Sequence, residues 1–291
     1  MANVYVITGG GSGIGLETAR NIDKDVILGL TGRTMAKLEN AKAQLEAEGH
    51  TVHLTTCDVS SRRDVHELCL LAASLGTIKT VIHAAGLSPA MADPDTIIMV
   101  NAVGTKNVNM EFYKYMNEGG VIVDVASSSA YDAPKLLVKH QIFEEAEYKE
   151  DAFIKHMKGE ANLANDEYNK SGLAYVMSKN FIVWYAQKCA HEYAAKGIRV
   201  VSVSPGLVET EMGAKEVSIT EFAQQMVENT CEHRMGRPEE LGFAIATIAD
   251  ERNSYLCGID ILIDGGAASG KKFSRKKNLQ RSKSNTVCSE A

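Results

Sequence analysis

The sequence predicts a single α/β domain with a doubly wound parallel sheet, and three observations support this fold class. Short β-branched runs alternate with helical stretches along the chain. The runs are continuously apolar, as expected for strands that helices cover on both faces. Glycines follow several of the runs, at Gly86, Gly206 and Gly265. Because ligands of such sheets bind beyond the carboxyl ends of the strands, we expect the functional residues there.

Seven apolar runs are predicted as the strands. In chain order they are residues 4–7, 26–28, 52–54, 80–82, 121–123, 199–203 and 259–263. Between the fifth and sixth runs, residues 132–170 are charged and carry apolar side chains at one-to-four spacing. This spacing is typical of amphipathic helices and predicts a helical insertion within the domain.

The composition indicates an acidic folded body followed by a basic C-terminal tail. The chain has 291 residues, of which 45% are hydrophobic and 23% charged, enough for a sizeable core. The net charge of −6 is uneven, because residues 267–291 hold seven basic side chains and one acidic one. We therefore expect a folded domain over residues 1–266, too acidic to bind nucleic acid, and a basic, disordered tail over residues 267–291. Binding of the tail to anionic lipid or nucleic acid is the alternative.

The cysteine pattern and the start of the chain predict a cytoplasmic protein. Six scattered cysteines form no CxxC pair, so neither a disulfide framework nor a metal site is expected. No apolar run approaches the roughly 18 residues that span a bilayer. The chain starts on a strand-like stretch without a signal-like segment, and no membrane span is expected.

A glycine-rich loop follows the first predicted strand and opens a helix. It reads Thr8-Gly9-Gly10-Gly11-Ser12-Gly13-Ile14-Gly15. Glycines permit a tight turn and a close approach to a pyrophosphate, whose charge the helix N-terminus favours. The strand-loop-helix context predicts a dinucleotide site rather than a flexible turn.

The end of the second strand favours NADP over NAD. The position where an acidic side chain would bind the ribose of NAD holds Gly32, and Arg33 follows it. A guanidinium suits a 2′-phosphate. The alternative is NAD, with Arg33 in solvent or stacked on the adenine.

Tyr175 and Lys179 are the candidate catalytic pair. They are four residues apart and share one face of a predicted helix. A cation near the phenol favours the phenolate, so we expect a lowered pKa for Tyr175 and a role as general acid and base. The alternative is a solvated helix face with a structural tyrosine.

These motifs together resemble the short-chain dehydrogenase/reductase family in its single-domain, Rossmann-like branch. The resemblance extends through nearly the whole chain to Gly266. It implies hydride transfer between NADP(H) and a secondary alcohol or ketone, with Tyr175 exchanging the proton. It also implies that Ser127 orients the substrate carbonyl, although Ser128 or Ser129 could be mistaken for it. Asn101 is implied to kink a helix and to support a water relay to Lys179; a helix-capping role is its alternative.

The resemblance also implies the contacts of the cofactor. Asp58 would hold the adenine, and the backbone of Val208 and the hydroxyl of Thr210 would contact the nicotinamide amide. His83-Ala84 replaces the usual Asn-Asn, which puts a strand-supporting hydrogen bond in doubt. The implied cofactor-binding residues are Gly9, Gly11, Ser12, Gly13, Ile14, Gly15, Arg33, Asp58, Val59, Ala85, Gly86, Asn101, Tyr175, Lys179, Pro205, Gly206, Val208 and Thr210.

The main departure from the family is the gap of 48 positions between Ser127 and Tyr175. Residues 132–170 fill it and, because both ends lead to catalytic residues, should form a wall or lid of the pocket or a platform for subunit association. The bacterial 3α-hydroxysteroid dehydrogenase/carbonyl reductase subgroup has a similar insertion, and its Asn-Leu-Ala-Tyr resembles Gly172-Leu173-Ala174-Tyr175. This implies a hydroxysteroid or bile acid substrate, with a smaller ketone as the alternative. Apolar residues after Thr210 are the candidate cover of a hydrophobic ligand: Met212, Val217, Ile219, Phe222 and Met226.

Other functions fit the residues less well. A non-catalytic cofactor-sensing regulator would not need the Ser127, Tyr175 and Lys179 set, and an enoyl reductase would place tyrosine and lysine further apart. We expect a homodimer or homotetramer acting on a small hydrophobic alcohol or ketone.

Overall fold

A seven-stranded, all-parallel sheet forms the centre of the protein in a computed structural model, which describes residues 2–273. The strands are β1 Asn3–Thr8, β2 Ile27–Gly32, β3 Thr51–Thr56, β4 Thr77–His83, β5 Val121–Val125, β6 Arg199–Pro205 and β7 Asp260–Ile263. They lie in the order β3-β2-β1-β4-β5-β6-β7. This arrangement confirms the predicted fold class.

Helices bury both faces of the sheet. They are α1 Gly13–Arg20, α2 Met35–Ala47, α3 Arg62–Leu75, α4 Pro94–Ile97, α5 Gly104–Tyr115, α6 His140–Glu144, α7 Glu150–Ala161, α8 Glu167–Tyr193, α9 Glu211–Ile219, α10 Glu221–Glu228 and α11 Pro238–Ala249. Apolar residues of α1, α2 and α11 form one core. Those of α3, α5 and α8 form the other, which extends to α7. Burial on both sides explains why the strands read as apolar runs without alternation.

The strand order places a crevice above β1 and β4. From β1 the chain continues outward through β2 and β3, then crosses back to β4 on the other side of β1. The loops after β1 and β4 therefore diverge, and ligands bind at such a topological switch point.

A π-helical segment, Ile98–Val103, joins α4 to α5. Its wider turn contains Asn101, whose side chain is completely buried. The expected distortion of the helix at Asn101 is therefore present, and π-turns within helices are frequent at functional sites.

Residues 132–170 are helical, as predicted, and contribute α6 and α7. Phe143 and Phe153 are buried against Phe181 of α8, with ring centroids 5.3 and 4.8 Å away. Glu147, between the two helices, accepts hydrogen bonds from Tyr185 at 2.7 Å and Lys188 at 2.9 Å. An aromatic core and a partly exposed carboxylate thus hold the middle of this segment on α8.

The predicted tail departs from expectation at its start, because residues 267–273 are helical. Asp264 caps this helix by accepting from the amides of Gly266 and Ala268, at 2.9 and 2.8 Å. Lys271 then pairs with Asp132 at 2.9 Å. Composition alone does not reveal such local bonds; the rest of the predicted tail, residues 274–291, lies outside the described residues. No helix within residues 2–273 has the length and apolar character needed to cross a bilayer.

Candidate active site

A cavity of about 920 Å³ lies along the carboxyl ends of the strands. It extends from the glycine-rich loop after β1, past the loops after β2 and β4, to α8 and α9. Every implied cofactor-binding residue except Asn101 lines it. The chain therefore brings these separated motifs into one cleft.

The glycine-rich loop has the shape of a phosphate cradle. Gly13 has a φ of +55°, a conformation that disfavours a side chain. A Cβ atom at Gly9 would lie 2.9 Å from the backbone of Ala84, and one at Gly15 would overlap the Gly9 carbonyl. Ser12 precedes α1 without capping it through its side chain, so the first amides of the helix stay available to an anion. These residues fit the diphosphate of a dinucleotide.

Two basic side chains stand at the rim beside β2. Arg33 is exposed and makes no hydrogen bond or ion pair within residues 2–273. Lys37, which the sequence reasoning did not select, lies one helical turn further on and pairs with Glu211 of α9 at 2.9 Å. Its distance of four residues from Arg33 was the available signal.

Asp58 is held in a local turn after β3. One carboxylate oxygen accepts from the amide of Ser60 at 3.0 Å and from its hydroxyl at 2.7 Å. The other oxygen makes no such bond among the described residues, so Asp58 can still accept from an adenine amine.

The loop after β4 is supported by His83. Its Nδ1 is 2.8 Å from the hydroxyl oxygen of Thr8, which accepts from the amide of Ala85 at 3.2 Å. The strand-supporting hydrogen bond that the loss of asparagine put in doubt is thus present, made by an imidazole. Burial, and secondarily the Lys179 charge, lowers the pKa of His83 to about 3, so the ring is neutral.

Ser127 is the serine that faces the candidate tyrosine. It ends the β5 loop as the N-cap of a short 3₁₀ helix, Ser128–Asp132, and accepts from the amide of Ser129 at 3.2 Å. Its side chain also lowers the pKa of Tyr175. Neither Ser128 nor Ser129 has such an effect on Tyr175 among the described residues, so Ser127 stays the proposed substrate-orienting serine.

Lys179 lies beneath Tyr175 on α8. Its Nζ is 5.7 Å from the centroid of the Tyr175 ring and donates to the Val125 carbonyl at 2.9 Å. Burial lowers the pKa of Lys179 to about 8, opposed by the carboxylate of Asp124. The ammonium is thus fixed by β5 and α8 together.

The expected lowering of the Tyr175 pKa is not found in the protein alone. Burial raises this pKa to about 12, and the charge of Glu216 adds to the increase, while the Ser127 side chain opposes it. Desolvation of the phenolate is the largest of these effects. Tyr175 is consequently a neutral phenol near pH 7, ready to donate a proton.

Asn101 is buried and does not line the cleft, but it supports a loop that does. Its side chain accepts from the amide of Leu87 at 2.8 Å and donates to the Leu87 carbonyl at 2.9 Å. A Cβ atom at Gly86 would lie 3.3 Å from Asn101 Oδ1 and 3.4 Å from Lys179 Nζ. Asn101 therefore fixes the loop that carries Gly86, and only a residue without a side chain fits between it and Lys179.

The substrate half of the cavity is bounded by α9 and α10. Met212, Phe222 and Met226 line it, as expected. Val217 and Ile219 do not line it, and Ile219 is exposed on α9. Thr210 caps α9 by accepting from the amide of Gly213 at 3.1 Å, so its hydroxyl has a structural partner as well as a place in the cavity.

The ends of residues 132–170 form part of the wall. Asp132, Pro134, Tyr168 and Asn169 line the cavity, whereas α6 and α7 do not. Of the two roles expected for this segment, the wall is the one its ends fill.

Glu216 is a cavity residue that the sequence reasoning missed. It accepts from the amide of Ala90 at 3.0 Å and from the hydroxyl of Tyr168 at 3.3 Å. It lies four residues after Met212 on α9, so helical spacing would have placed both on one face. Only the apolar members of that face were selected.

The cleft, the glycine cradle and the Ser127, Tyr175 and Lys179 set define an NAD(P)-dependent oxidoreductase. Residues 3–138 match the family model described as short chain dehydrogenase. Residues 159–268 match a related model described as enoyl-(acyl carrier protein) reductase. The stretch between the two matches lies inside the segment 132–170.

Known proteins support the same assignment. A short-chain dehydrogenase/reductase of Alternaria brassicicola is 30% identical, over 91% of this chain and 95% of its own. A short-chain type dehydrogenase/reductase from Mycobacterium ulcerans superposes with a TM-score of 0.72 at 22% identity, covering 91% of this chain and 89% of its own. A short chain dehydrogenase of Burkholderia cenocepacia, in complex with NADP, has a TM-score of 0.71 at 20% identity, covering 92% and 98%. The chain belongs to the short-chain dehydrogenase/reductase family, as an oxidoreductase acting on CH–OH groups.

Proposed function

We propose that the protein is an NADP(H)-dependent oxidoreductase that interconverts a secondary alcohol and a ketone, with a hydroxysteroid as its substrate and a smaller ketone as the alternative. One observation carries the proposal: Ser127, Tyr175 and Lys179 line the same cavity as the glycine cradle, with Lys179 Nζ 5.7 Å from the centre of the Tyr175 ring. When bound, the nicotinamide cofactor supplies or accepts the hydride.

Ser127, Tyr175 and Lys179 each have a separate role in the proposed reaction. The hydroxyl of Ser127 holds the substrate oxygen in place, and the phenol of Tyr175 donates its proton to that oxygen as charge develops. Because the pKa of Tyr175 is raised to about 12, the protonated form needed for ketone reduction is the one present near pH 7. Lys179 adds a fixed positive charge below the phenol. These features favour the reductive direction.

The preference for NADP rests on the rim beside β2. Arg33 is unpaired among the described residues, Lys37 lies one turn away, and Gly32 leaves no acidic group to repel a phosphate. The NADP in the Burkholderia cenocepacia structure supports this choice.

The apolar side chains favour a hydrophobic substrate. In the half of the cavity beyond Tyr175 they are Leu173, Leu207, Met212, Phe222 and Met226. Their extent is the reason to test steroids and bile acids before short ketones. A cytoplasmic location remains a further part of the proposal, with five described cysteines present as free thiols.

The test is a panel of steroids, bile acids and small ketones with NADPH and NADH, followed by absorbance of the reduced nicotinamide. Tyr175→Phe should lower kcat about 10²–10⁴-fold while circular dichroism shows an unchanged fold, because the proton donor is lost. Unchanged ketone-dependent NADPH oxidation in this variant would disprove the mechanism.

The cofactor preference has its own variant. Arg33→Ala should raise KM for NADPH about tenfold and leave the kinetics with NADH unchanged, since only the 2′-phosphate loses a partner. Arg63→Ala, at an exposed position of α3, is the matched control. An equal effect on both cofactors would contradict the role given to Arg33.

A further inference from the structure

Glu216 places a carboxylate among the apolar side chains of the substrate half of the cavity. It lies on α9 and reaches the loop after β4 through Ala90 and the start of α8 through Tyr168. It is half-buried and lines the same cavity as Tyr175. Three elements of the substrate wall thus converge on one acidic group.

No cation of the described residues balances this carboxylate. Its two hydrogen-bond donors, a backbone amide and a phenol, are neutral, and it forms no ion pair within residues 2–273. The basic residues lining the cavity lie elsewhere: Arg33 and Lys37 are at the rim beside β2, and Lys179 is bonded beneath Tyr175. A partly desolvated carboxylate without a counter-ion favours a ligand that brings one.

The charge of Glu216 also reaches the reacting centre. It raises the pKa of Tyr175, second to burial among the effects that do so. A cation bound beside Glu216 would offset this effect, because the phenol would then experience a nearly neutral pair instead of a lone negative charge.

We propose that the substrate half of the cavity selects ketones and alcohols that carry a positively charged amine, with Glu216 as the counter-ion of that amine. The inference rests on the proposed function and narrows its substrate class. The apolar side chains of Leu173, Met212 and Phe222 would pack on the hydrocarbon part of such a molecule, and the carbonyl would meet Ser127 and Tyr175.

A purely structural role of Glu216 is the competing explanation, since its bonds join α9 to two neighbouring elements. Glu216→Gln separates the two. The amide oxygen of glutamine can still accept from Ala90, and its NH₂ group can donate to the oxygen of Tyr168. The variant therefore keeps the connection and loses only the charge.

The experiment compares two ketones of nearly identical shape, 1,1-dimethyl-4-oxopiperidinium, which is permanently cationic, and 4,4-dimethylcyclohexanone, which is neutral. NADPH oxidation gives kcat/KM for each with the wild type, Glu216→Gln and a control, Glu228→Gln. Glu228 lies on α10, is exposed and does not line the active-site cavity. The ratio of the two kcat/KM values within one preparation cancels any difference in folded fraction, and its change between variants cancels the unequal reactivity of the ketones.

We expect the cationic-to-neutral ratio to fall about tenfold or more in Glu216→Gln, mainly through KM for the cation, and to stay unchanged in Glu228→Gln. An equal ratio in the wild type and Glu216→Gln would overturn the proposal. So would a ratio that rises in Glu216→Gln.

A binding measurement keeps this test apart from the test of the proposed function. Calorimetry gives the Kd of 4-hydroxy-1,1-dimethylpiperidinium and of 4,4-dimethylcyclohexanol for the same three proteins saturated with NADP. If no ketone is reduced, the proposed function fails, yet a tenfold loss of cation affinity in Glu216→Gln would still support the site. Equal affinities in the wild type and Glu216→Gln would reject the site even if ketones are reduced.

Discussion

At the scale of single residues, three buried ionisable side chains lie close to the reacting centre. Lys179 donates to the Val125 carbonyl of β5, and Asp124 precedes Val125 on the same strand. His83 lies opposite Asp124 in the register between β4 and β5. Burial raises the pKa of Asp124 to about 7, although both of its oxygens accept from Asn109 at 3.0 and 3.1 Å. The charges that surround Tyr175 are therefore set by desolvation as much as by pairing.

His83 makes the stability of the protein sensitive to acid. Its folded-state pKa of about 3 lies below the ordinary 6.5, so the unfolded chain binds the extra proton between these values and stability falls as the pH drops through them. His83→Asn keeps a hydrogen-bonding partner for Thr8 without this titration. Relative to the wild type, we expect its free energy of unfolding to rise by about 3 kcal/mol when the pH is lowered from 7 to 4, measured by urea titration at both pH values.

The control for this prediction is His53→Asn on the exposed side of β3. It should leave the pH dependence as in the wild type. A His83→Asn protein whose stability falls with acid as steeply as that of the wild type would show that the imidazole is not held neutral.

At the scale of elements, the segment 132–170 combines two functions along its length. Its ends line the cavity, and its middle is anchored to α8 through Phe143, Phe153 and Phe181. Because α8 also carries Tyr175 and Lys179, the helix that positions the proton donor is stabilised by the segment that shapes the pocket.

The aromatic anchor, formed by Phe143, Phe153 and Phe181, should contribute strongly to the free energy of unfolding. Phe153→Ala removes a completely buried ring, and we expect a loss of about 3–5 kcal/mol in the free energy of unfolding, measured by urea titration with circular dichroism. Leu163→Ala, at a position 64% exposed in the same segment, should change it by less than about 0.5 kcal/mol. Similar losses in both variants would contradict the anchoring role.

The sequence was most informative where chemistry demands a fixed spacing. The glycine loop, Ser127 and the Tyr175–Lys179 turn could be located because each motif is local and lies next to a strand or on one helix. Glu216 was missed because its importance arises from contacts with Ala90 and Tyr168, which are distant in sequence. The raised pKa of Tyr175 could not be anticipated either, since it depends on burial that only the assembled cleft creates.

At the scale of the whole molecule, one edge of the sheet is left open. β7 is the last strand, and Ile259 and Leu262 at this edge are exposed at 46% and 38%; Phe243, on the nearby helix layer in α11, is exposed at 64%. An unpaired apolar edge invites association with a second chain. This edge is therefore our choice for an interface of the expected homodimer or homotetramer.

Charged substitutions at this edge test the assembly. The double variant Phe243→Glu with Leu262→Lys should halve the mass measured by light scattering after size exclusion, because charge would replace the apolar contact. Leu163→Lys, which adds a charge at an exposed position elsewhere, should leave the mass unchanged. A wild type that is monomeric, or a double variant that still dimerises, would exclude this interface.

The aromatic anchor has an optical consequence. Trp184 packs against Phe143 with ring centroids 5.6 Å apart and is the only tryptophan of the chain. It lies nine residues after Tyr175 on α8, which corresponds to about 14 Å along the helix axis. Indole emission overlaps the absorption of a reduced nicotinamide, so the fluorescence of Trp184 should be quenched by energy transfer when the cleft fills. The protein thus contains a single built-in donor for following occupancy of its own active site in real time.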